Sequence, residues 1–209
     1  MKKTNLKIKN WILFLVCILL LGYCILPAEG WRITDELKEE IKIKKEALEK
    51  NPDDAHAHFD LAITYAYTNH IIDGWAKLKK VVEIDPSFKK TGLRMYIKKV
   101  TAEPNDWRLR FRLAFAYYFN DKKEAAIREL DNVILIDPYN VWAYGYIALI
   151  YGEMGETDKA MEYCKRGLAI DSNVAALHLL LAEGYYKKGD SWTGFKERME
   201  ALRLRALGY

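Results

Sequence analysis

The sequence predicts an all-α protein that is built from repeated pairs of helices. Four prolines, each preceded by Asn, Asp or Glu, divide the middle of the chain: Pro52, Pro86, Pro104 and Pro138. The first two lie 34 residues apart, and the last two are again 34 residues apart. Small and aromatic side chains recur between them at the same offsets. A fixed period of about 34 residues is typical of helix–turn–helix arrays, in which each unit packs on its neighbours.

Four repeats come into register when the third residue after each proline is taken as position one. Their bounds are 55–88, 107–140, 141–174 and 175–209. Position eight is always alanine: Ala62, Ala114, Ala148 and Ala182. Position eleven is always tyrosine: Tyr65, Tyr117, Tyr151 and Tyr185. Position twenty is always small: Gly74, Ala126, Ala160 and Gly194. The small residues predict two closely packed helices in each repeat, with the tyrosine filling the space between them.

The turn between the two helices is predicted near position fifteen. Repeats three and four carry Gly155 and Gly189 there, and repeat two carries Asn120 and Asp121. Glycine, asparagine and aspartate tolerate the positive φ that often ends a helix. The proline then closes the second helix, because the residue before a proline is disfavoured in the helical conformation. The third repeat has Ser172 in place of this proline.

Over residues 51–209 this pattern resembles the tetratricopeptide repeat family. The resemblance implies stacked antiparallel helix pairs in a right-handed superhelix. We therefore expect a right-handed α-solenoid of four repeats, with a single-helix insert, an N-terminal capping helix and one transmembrane helix before it. The resemblance implies binding of a protein or peptide, and it implies no enzymatic reaction and no cofactor.

Two segments depart from the repeat. Pro86 and Pro104 are only 18 residues apart, so the insert at residues 89–103 has room for one helix, which we expect at Thr91–Ala102. It either redirects the superhelix and borders the groove or is an ordered connection without a function. Within residues 29–50, a helix at Thr34–Lys50 is expected to cap the first repeat, with Ala47 at a small packing position. At the other end, the helix at about Ser191–Leu207 must cap itself or meet a partner.

The N-terminal residues predict a membrane anchor. Residues 11–26 carry no charge, and the tail at residues 1–10 contains four lysines and no acid. Sixteen residues span about 24 Å as a helix, which is short for a bilayer core of about 30 Å. Flanking tryptophans favour an uncleaved transmembrane anchor at residues 11–28, with the tail cytoplasmic and the repeats outside. A cleaved signal peptide and a buried soluble helix are the alternatives.

Charge and cysteine content argue against other classes of function. The chain has 33 basic and 29 acidic residues, and the four lysines of the tail account for the net charge of +4. A neutral array offers no stripe for phosphates, so we expect no nucleic-acid binding. Of three cysteines, two lie in the apolar run and Cys164 stands alone in repeat three. We find no motif for catalysis or a metal, and expect His58 and His178 to be packed between helices.

The concave surface is the predicted site of function. In the family that this pattern resembles, positions two, five, nine, twelve and thirteen of each first helix face the groove. Together with the neighbouring Arg112 they give these candidates for partner binding: Phe59, Ile63, Tyr67, Arg108, Phe111, Arg112, Phe115, Tyr118, Phe119, Trp142, Leu149 and Tyr186. We expect the rings of Phe111 and Phe115 to face solvent until a partner covers them.

Two occupants of this groove remain open. One is an apolar peptide or amphipathic helix of a partner protein. The other is the protein itself: the insert, the N-terminal helix or a second copy of the chain. The sequence thus predicts a membrane-anchored adaptor or scaffold of an extracytoplasmic envelope complex. The alternative is a permanent structural subunit of a larger or self-associated membrane complex.

Overall fold

The computed structural model describes residues 34–209, and all regular secondary structure in this range is helical. The helices are α1 (Asp35–Lys50), α2 (Ala55–Ala66), α3 (Ile71–Ile84), α4 (Phe88–Ala102), α5 (Trp107–Phe119), α6 (Lys123–Ile136), α7 (Val141–Glu153), α8 (Thr157–Ile170), α9 (Ala175–Lys187) and α10 (Ser191–Ala206). Helices α2–α3, α5–α6, α7–α8 and α9–α10 are the four predicted pairs. Helix α4 is the single-helix insert, and α1 packs in front of the first pair.

The first helices begin where the repeat places a short polar side chain two residues after the proline. Asp54 accepts hydrogen bonds from the backbone N–H groups of His56 and Ala57, and Asp106 does the same for α5. Asn140 caps α7 through the N–H of Ala143. Such caps satisfy donors that have no partner within the helix. Helix α9, whose repeat lacks the proline, starts from Val174 without a side-chain cap.

The predicted register of small residues is confirmed. All four alanines at position eight are 1% exposed. An ideal Cβ at Gly74 would lie 3.0 Å from the carbonyl oxygen of Ala62, so the two helices of repeat one approach each other as closely as the sequence implies. The turns also agree, because position fifteen has a positive φ in each repeat: Asn69, Asp121, Gly155 and Gly189.

The two departures from the repeat are single helices, as predicted, with differences in detail. Helix α4 starts at Phe88 instead of Thr91, because the ring of Phe88 is buried and packs over Gly92. Helix α1 begins after Thr34, whose hydroxyl accepts from the N–H of Leu37, and it buries Leu37, Ile41 and Leu48. Ala47 is exposed, so its predicted packing role is wrong.

The hydrophobic core runs from α1 through to α9 without interruption. Smaller clusters close the two ends. Ile41 and Leu48 of α1 pack on Leu61 and Tyr65 at one end. Ala201 and Leu204 of α10 contribute to the other. The predicted tail at residues 1–10 and the span at residues 11–28 lie outside the described residues. Within residues 34–209 no helix is both long and apolar enough to cross a bilayer.

Candidate functional site

Five side chains that were predicted to line the groove lie in the core of repeats one to three. Phe59, Ile63 and Phe111 are 0% exposed, Tyr67 is 1% exposed and Phe115 is 6% exposed. The expectation that the rings of Phe111 and Phe115 face solvent is therefore wrong. Whether any of the five contributes to partner binding stays a prediction.

Helix α4 covers the groove position of repeat one. The ring of Phe59 packs against Phe88 at 5.1 Å and against Tyr96 at 5.3 Å between centroids. Phe119, which is half-buried, meets the same ring edge-on at 6.1 Å. The Tyr96 hydroxyl donates to the carboxylate of Asp60, so α4 is also held by a polar contact. The insert therefore covers the side chain that would otherwise face a partner.

Tyr146 of α7 covers the groove positions of repeat two. Its ring lies edge-on to Phe111 at 5.6 Å and to Phe115 at 4.8 Å. Its hydroxyl donates to the carbonyl oxygen of Ala66 at 3.1 Å, which joins repeat three directly to repeat one. Burial raises the pKa of Tyr146 well above the ordinary range for tyrosine. The concave surface is closed here by a contact that spans two repeats.

A buried ion cluster joins α1 to α2 and α5. The side chain of Arg112 is 7% exposed and contacts two acids: its Nη2 lies 3.3 Å from Glu40 Oε1, and its Nε lies 3.2 Å from Asp60 Oδ1. Glu40 also accepts from Lys44 Nζ and from the Tyr67 hydroxyl, each at 2.8 Å. A buried arginine is tolerated when its charge is balanced, and Glu40 and Asp60 balance it here.

The pKa shifts in this cluster follow from burial and charge. Burial alone would raise the pKa of Glu40, but the hydrogen bonds from Lys44 and Tyr67 and the charge of Arg112 lower it to about 2. Burial opposes the charge of Arg112, yet its neighbours, Asp60 among them, raise its pKa above the ordinary value. Burial raises the pKa of Tyr67 to about 12. Glu40 and Arg112 therefore stay charged at neutral pH, and Tyr67 stays neutral.

Arg108, a predicted groove residue, contacts α1. Its Nη2 lies 2.8 Å from Glu36 Oε1, and its Nε lies 3.4 Å from Glu40 Oε2. The guanidinium also stacks on the ring of Trp107 at 4.8 Å. Two acids of α1 therefore pair with this predicted groove residue.

An apolar pocket of about 400 Å³ opens between α3, α5, α7 and α9. Three predicted groove residues lie in its wall: Tyr118, Trp142 and Leu149. The other apolar members of the wall come from the flanking helices: Ile71, Trp75, Val141, Gly145, Tyr146, Val174, Ala176, Leu177, Leu179 and Leu180. The indole of Trp75 is 44% exposed, whereas Trp142 is 5% exposed and forms an inner wall. A concave apolar surface with a few polar groups is the usual form of a binding site.

Two exposed carboxylates border this pocket. Glu153 accepts from the Tyr118 hydroxyl at 2.8 Å and lies 3.2 Å from Lys123 Nζ. Burial of its ring, together with the hydrogen bond to Glu153, raises the pKa of Tyr118 to about 12. Glu183 contributes the second carboxylate from α9. An apolar partner with a basic side chain beside its apolar face would match this edge.

Sequence reasoning missed the contribution of the second helix of repeat one. Trp75 lies at position twenty-one, on a helix that the repeat pattern assigns to the outer surface, and it nevertheless borders the pocket. A large aromatic residue directly after the small Gly74 could have indicated that this helix contributes to the pocket. Tyr186, also predicted for the groove, lies over Gly194 of α10 and is half-buried away from this pocket.

His58, His178 and Cys164 are packed between helices, as predicted for the two histidines. His58 Nε2 lies 2.8 Å from the carbonyl oxygen of Pro52, and His178 lies 2.6 Å from Glu197. Burial raises the pKa of Cys164 to about 12, so its thiol is not activated. Among residues 34–209, no three His, Cys, Asp or Glu side chains are grouped in a way that would hold a metal ion.

Residues 143–174 match a family model described as a tetratricopeptide repeat. Among solved structures, YrrB, described as a TPR protein with an unusual peptide-binding site, is 16% identical with a TM-score of 0.51. That alignment covers 78% of this chain and 92% of YrrB. The fold is that of a tetratricopeptide-repeat solenoid.

Structures of MamA are also similar to this solenoid. The MamA structure MSR-1 C2 is 16% identical with a TM-score of 0.52, and the alignment covers 83% of this chain and 90% of that one. A crystal structure of MamA is 23% identical with a TM-score of 0.48, over 82% of this chain and 90% of that chain. No curated protein sequence gives a significant match.

Proposed function

We propose that this chain is a membrane-anchored, non-catalytic scaffold that holds a protein partner in the apolar pocket between α3, α5, α7 and α9. The pocket is the observation that carries the proposal, because its walls combine exposed Trp75 with buried Trp142 and apolar side chains of α9. The partner is an apolar or amphipathic helix, since such a helix places two or three side chains in an apolar groove. The tetratricopeptide-repeat fold supports this reading, and YrrB is described as having a peptide-binding site.

The same partner would present a basic residue beside its apolar face. Glu153 and Glu183 lie on one border of the pocket, and Lys123 already compensates part of the charge of Glu153. A basic side chain in the partner would complete this compensation and fix the orientation of the bound helix. Charge at the edge adds more to orientation and association rate than to affinity.

A substitution at Gly145 tests the pocket without disturbing the core. A Cβ at this position would lie 3.4 Å from Leu177 Cδ2, which is ordinary contact, so Gly145→Ala fits. A larger side chain would extend into the pocket. We expect Gly145→Leu to fold with unchanged helicity and to lose capture of the partner identified by cross-linking in native membranes. Gly145→Ala is the matched control and retains capture. Full capture by a folded Gly145→Leu protein would exclude this pocket as the binding site.

In this proposal residues 11–28 anchor the chain, residues 1–10 stay in the cytoplasm, and the repeats assemble or hold an extracytoplasmic envelope complex. The lysine tail next to an uncharged run supports this orientation. Protease added to intact spheroplasts is expected to digest the repeats and to spare the first ten residues. Protection of the repeats would contradict the orientation, while leaving the pocket proposal in place.

A further inference from the structure

The last helix of the array exposes an apolar stripe along its whole length. Trp192 is 69% exposed, Phe195 48%, Met199 47% and Leu202 52%. Their spacing of three, four and three residues puts all four side chains on one face of α10. The rings of Trp192 and Phe195 stack at 6.0 Å. The opposite face of the helix, with Ala201 and Leu204, is buried against the array.

Basic residues border this stripe on both sides. On a wheel of 100° per residue, Arg198 and Arg205 flank one edge, and Lys196 and Arg203 flank the other. The helix has only two acids, and one of them compensates a basic residue of the border. Glu197 contacts His178 at 2.6 Å on the inner face, and Glu200 pairs with Arg203 at 2.5 Å. An apolar stripe between cationic borders is the pattern of a helix that lies in the surface of a bilayer.

The register of the repeats argues against a missing fifth repeat as the occupant. In repeat three, Met161 at position twenty-one meets Gly184 of the next repeat, and Cys164 at position twenty-four is buried. Positions twenty-four of repeats one and two, Leu78 and Leu130, are buried as well. In α10 this position holds the exposed Arg198. A further repeat, or a second copy stacked head to tail, would have to bury that charge and supply an acid to balance it.

The stripe extends beyond the face on which repeats stack. Phe195 lies on that face, because it occupies position twenty-one, the position of Met161. Trp192 and Met199 occupy positions eighteen and twenty-five. In repeat three those positions hold exposed, charged side chains, Asp158 and Lys165. The two apolar residues in the last repeat therefore do not continue the stacking pattern. They extend the stripe toward the outer surface. Helix α3 also exposes apolar side chains at positions eighteen, twenty-one and twenty-eight, but it carries the exposed Lys79 at position twenty-five, where α10 has Met199.

We propose that α10 lies on the surface of an anionic lipid bilayer, with Trp192, Phe195, Met199 and Leu202 inserted among the acyl chains near the headgroups. Tryptophan is well suited to this depth, because its ring is apolar and its N–H is polar. Lys196, Arg198 and Arg205 meet the lipid phosphates, while Arg203 stays paired with Glu200. The inference does not depend on the predicted span, since it rests on the surface chemistry of α10.

Photo-crosslinking of the full-length protein with lipid vesicles tests the contact. The variant Trp192→p-benzoylphenylalanine keeps an aromatic ring at the stripe and forms an adduct with whatever touches it. The matched control is Ile72→p-benzoylphenylalanine, because Ile72 is 79% exposed at the same repeat position of the first repeat. In vesicles of phosphatidylglycerol and phosphatidylcholine, we expect at least about tenfold more lipid adduct at position 192 than at position 72. Vesicles of phosphatidylcholine alone are expected to reduce it.

Charge reversal on the border sharpens the test. Lys196→Glu with Arg198→Glu is expected to lower the lipid adduct at position 192 to the level of the control site. Lys122→Glu with Arg128→Glu makes the same change in net charge on two exposed residues, one just before α6 and one within it, and is expected to leave the adduct unchanged. Alkaline carbonate extraction of the same vesicles reports separately whether the chain is anchored.

Two results would overturn the proposal. The first is an equal amount of lipid adduct at positions 192 and 72 in anionic vesicles. The second is an adduct at position 192 that joins two copies of the chain, in preference to lipid, when vesicles are present. That second outcome would assign the stripe to self-association.

Discussion

The helix that begins the described array and the helix that ends it are both 16 residues long, and each has one face with no repeat beyond it. Their outward faces differ in chemistry. Helix α1 carries mainly Lys and Glu, and its one large exposed apolar side chain is Ile43. Helix α10 exposes four large apolar side chains in one stripe. The position of a helix at the end of the array therefore does not by itself show that its outer face contacts water. The side chains on that face indicate whether it contacts water or another surface.

The inner faces of the two ends differ as well. Helix α1 sends Glu40 inward to Arg112 and its aromatic neighbours, and the concave side of repeats one and two is filled. Near α9, the pocket beside Trp142 stays open. The protein thus covers its own groove in the first half and leaves it available in the second. A binding site of a repeat array has to be located by what covers each repeat, since the repeat pattern is the same in both halves.

The largest expected effect is on the free energy of unfolding. It is tested by replacing one phenylalanine in each of the two regions with alanine. Phe111 is 0% exposed and enclosed by Tyr67 and Tyr146, so Phe111→Ala is expected to lower the free energy of unfolding by about 3–5 kcal/mol. Phe195 is 48% exposed on α10, so Phe195→Ala is expected to change it by less than about 0.5 kcal/mol. Urea unfolding followed by the helical circular dichroism signal measures both.

Similar unfolding free energies for Phe111→Ala and Phe195→Ala would contradict the difference in burial between the groove of repeat two and the stripe on α10. If Phe111→Ala were as stable as the parent protein, the ring would not be enclosed in solution, and the groove of repeat two would be open. If Phe195→Ala were as destabilised as Phe111→Ala, the stripe on α10 would be part of the folding core of a self-associated protein.

The parts of the fold that repeat locally could be predicted from the sequence. The alanines at position eight, the turn residues at position fifteen and the caps after each proline act on neighbours within one repeat. Their spacing therefore contains the necessary information. The single helices at α1 and α4 could be predicted for the same reason, because the interval between prolines bounds the length of a helix.

The burial of the predicted groove residues could not be predicted from the spacing within one repeat. Phe111 is covered by Tyr146, which is 35 residues further along, and Arg112 is neutralised by Glu40, which is 72 residues before it. Such contacts depend on how strongly the array curves, and the repeat period does not contain that quantity. Tyr118, Trp142 and Leu149 line the open pocket, whose wall contains no residue of α1 or α4, and their role in partner binding stays a prediction.

The second comparison concerns the ion cluster that attaches α1 to the repeats. Unfolding at decreasing pH tests its contribution to stability. The pKa of Glu40 falls from an ordinary 4.5 to about 2 on folding, so the unfolded chain binds a proton more readily than the folded protein. The stability that this carboxylate contributes is fully present above about pH 4.5 and is lost as the pH falls toward 2. Glu40→Gln removes the charge that faces Lys44, Arg108 and Arg112. We expect it to lower the free energy of unfolding at pH 7 by about 1.5–3 kcal/mol.

The pH dependence separates a charge effect from a loss of packing. Glutamine has nearly the shape of protonated glutamate, so the difference in unfolding free energy between Glu40→Gln and the parent protein is expected to shrink steadily between about pH 4.5 and 2. The control is Glu200→Gln on α10, whose partner Arg203 is exposed, and this variant is expected to differ little from the parent at neutral pH. A difference for Glu40→Gln that stayed constant down to pH 2 would show that the carboxylate holds α1 by packing alone. The ion cluster would then have no part in closing the first half of the groove.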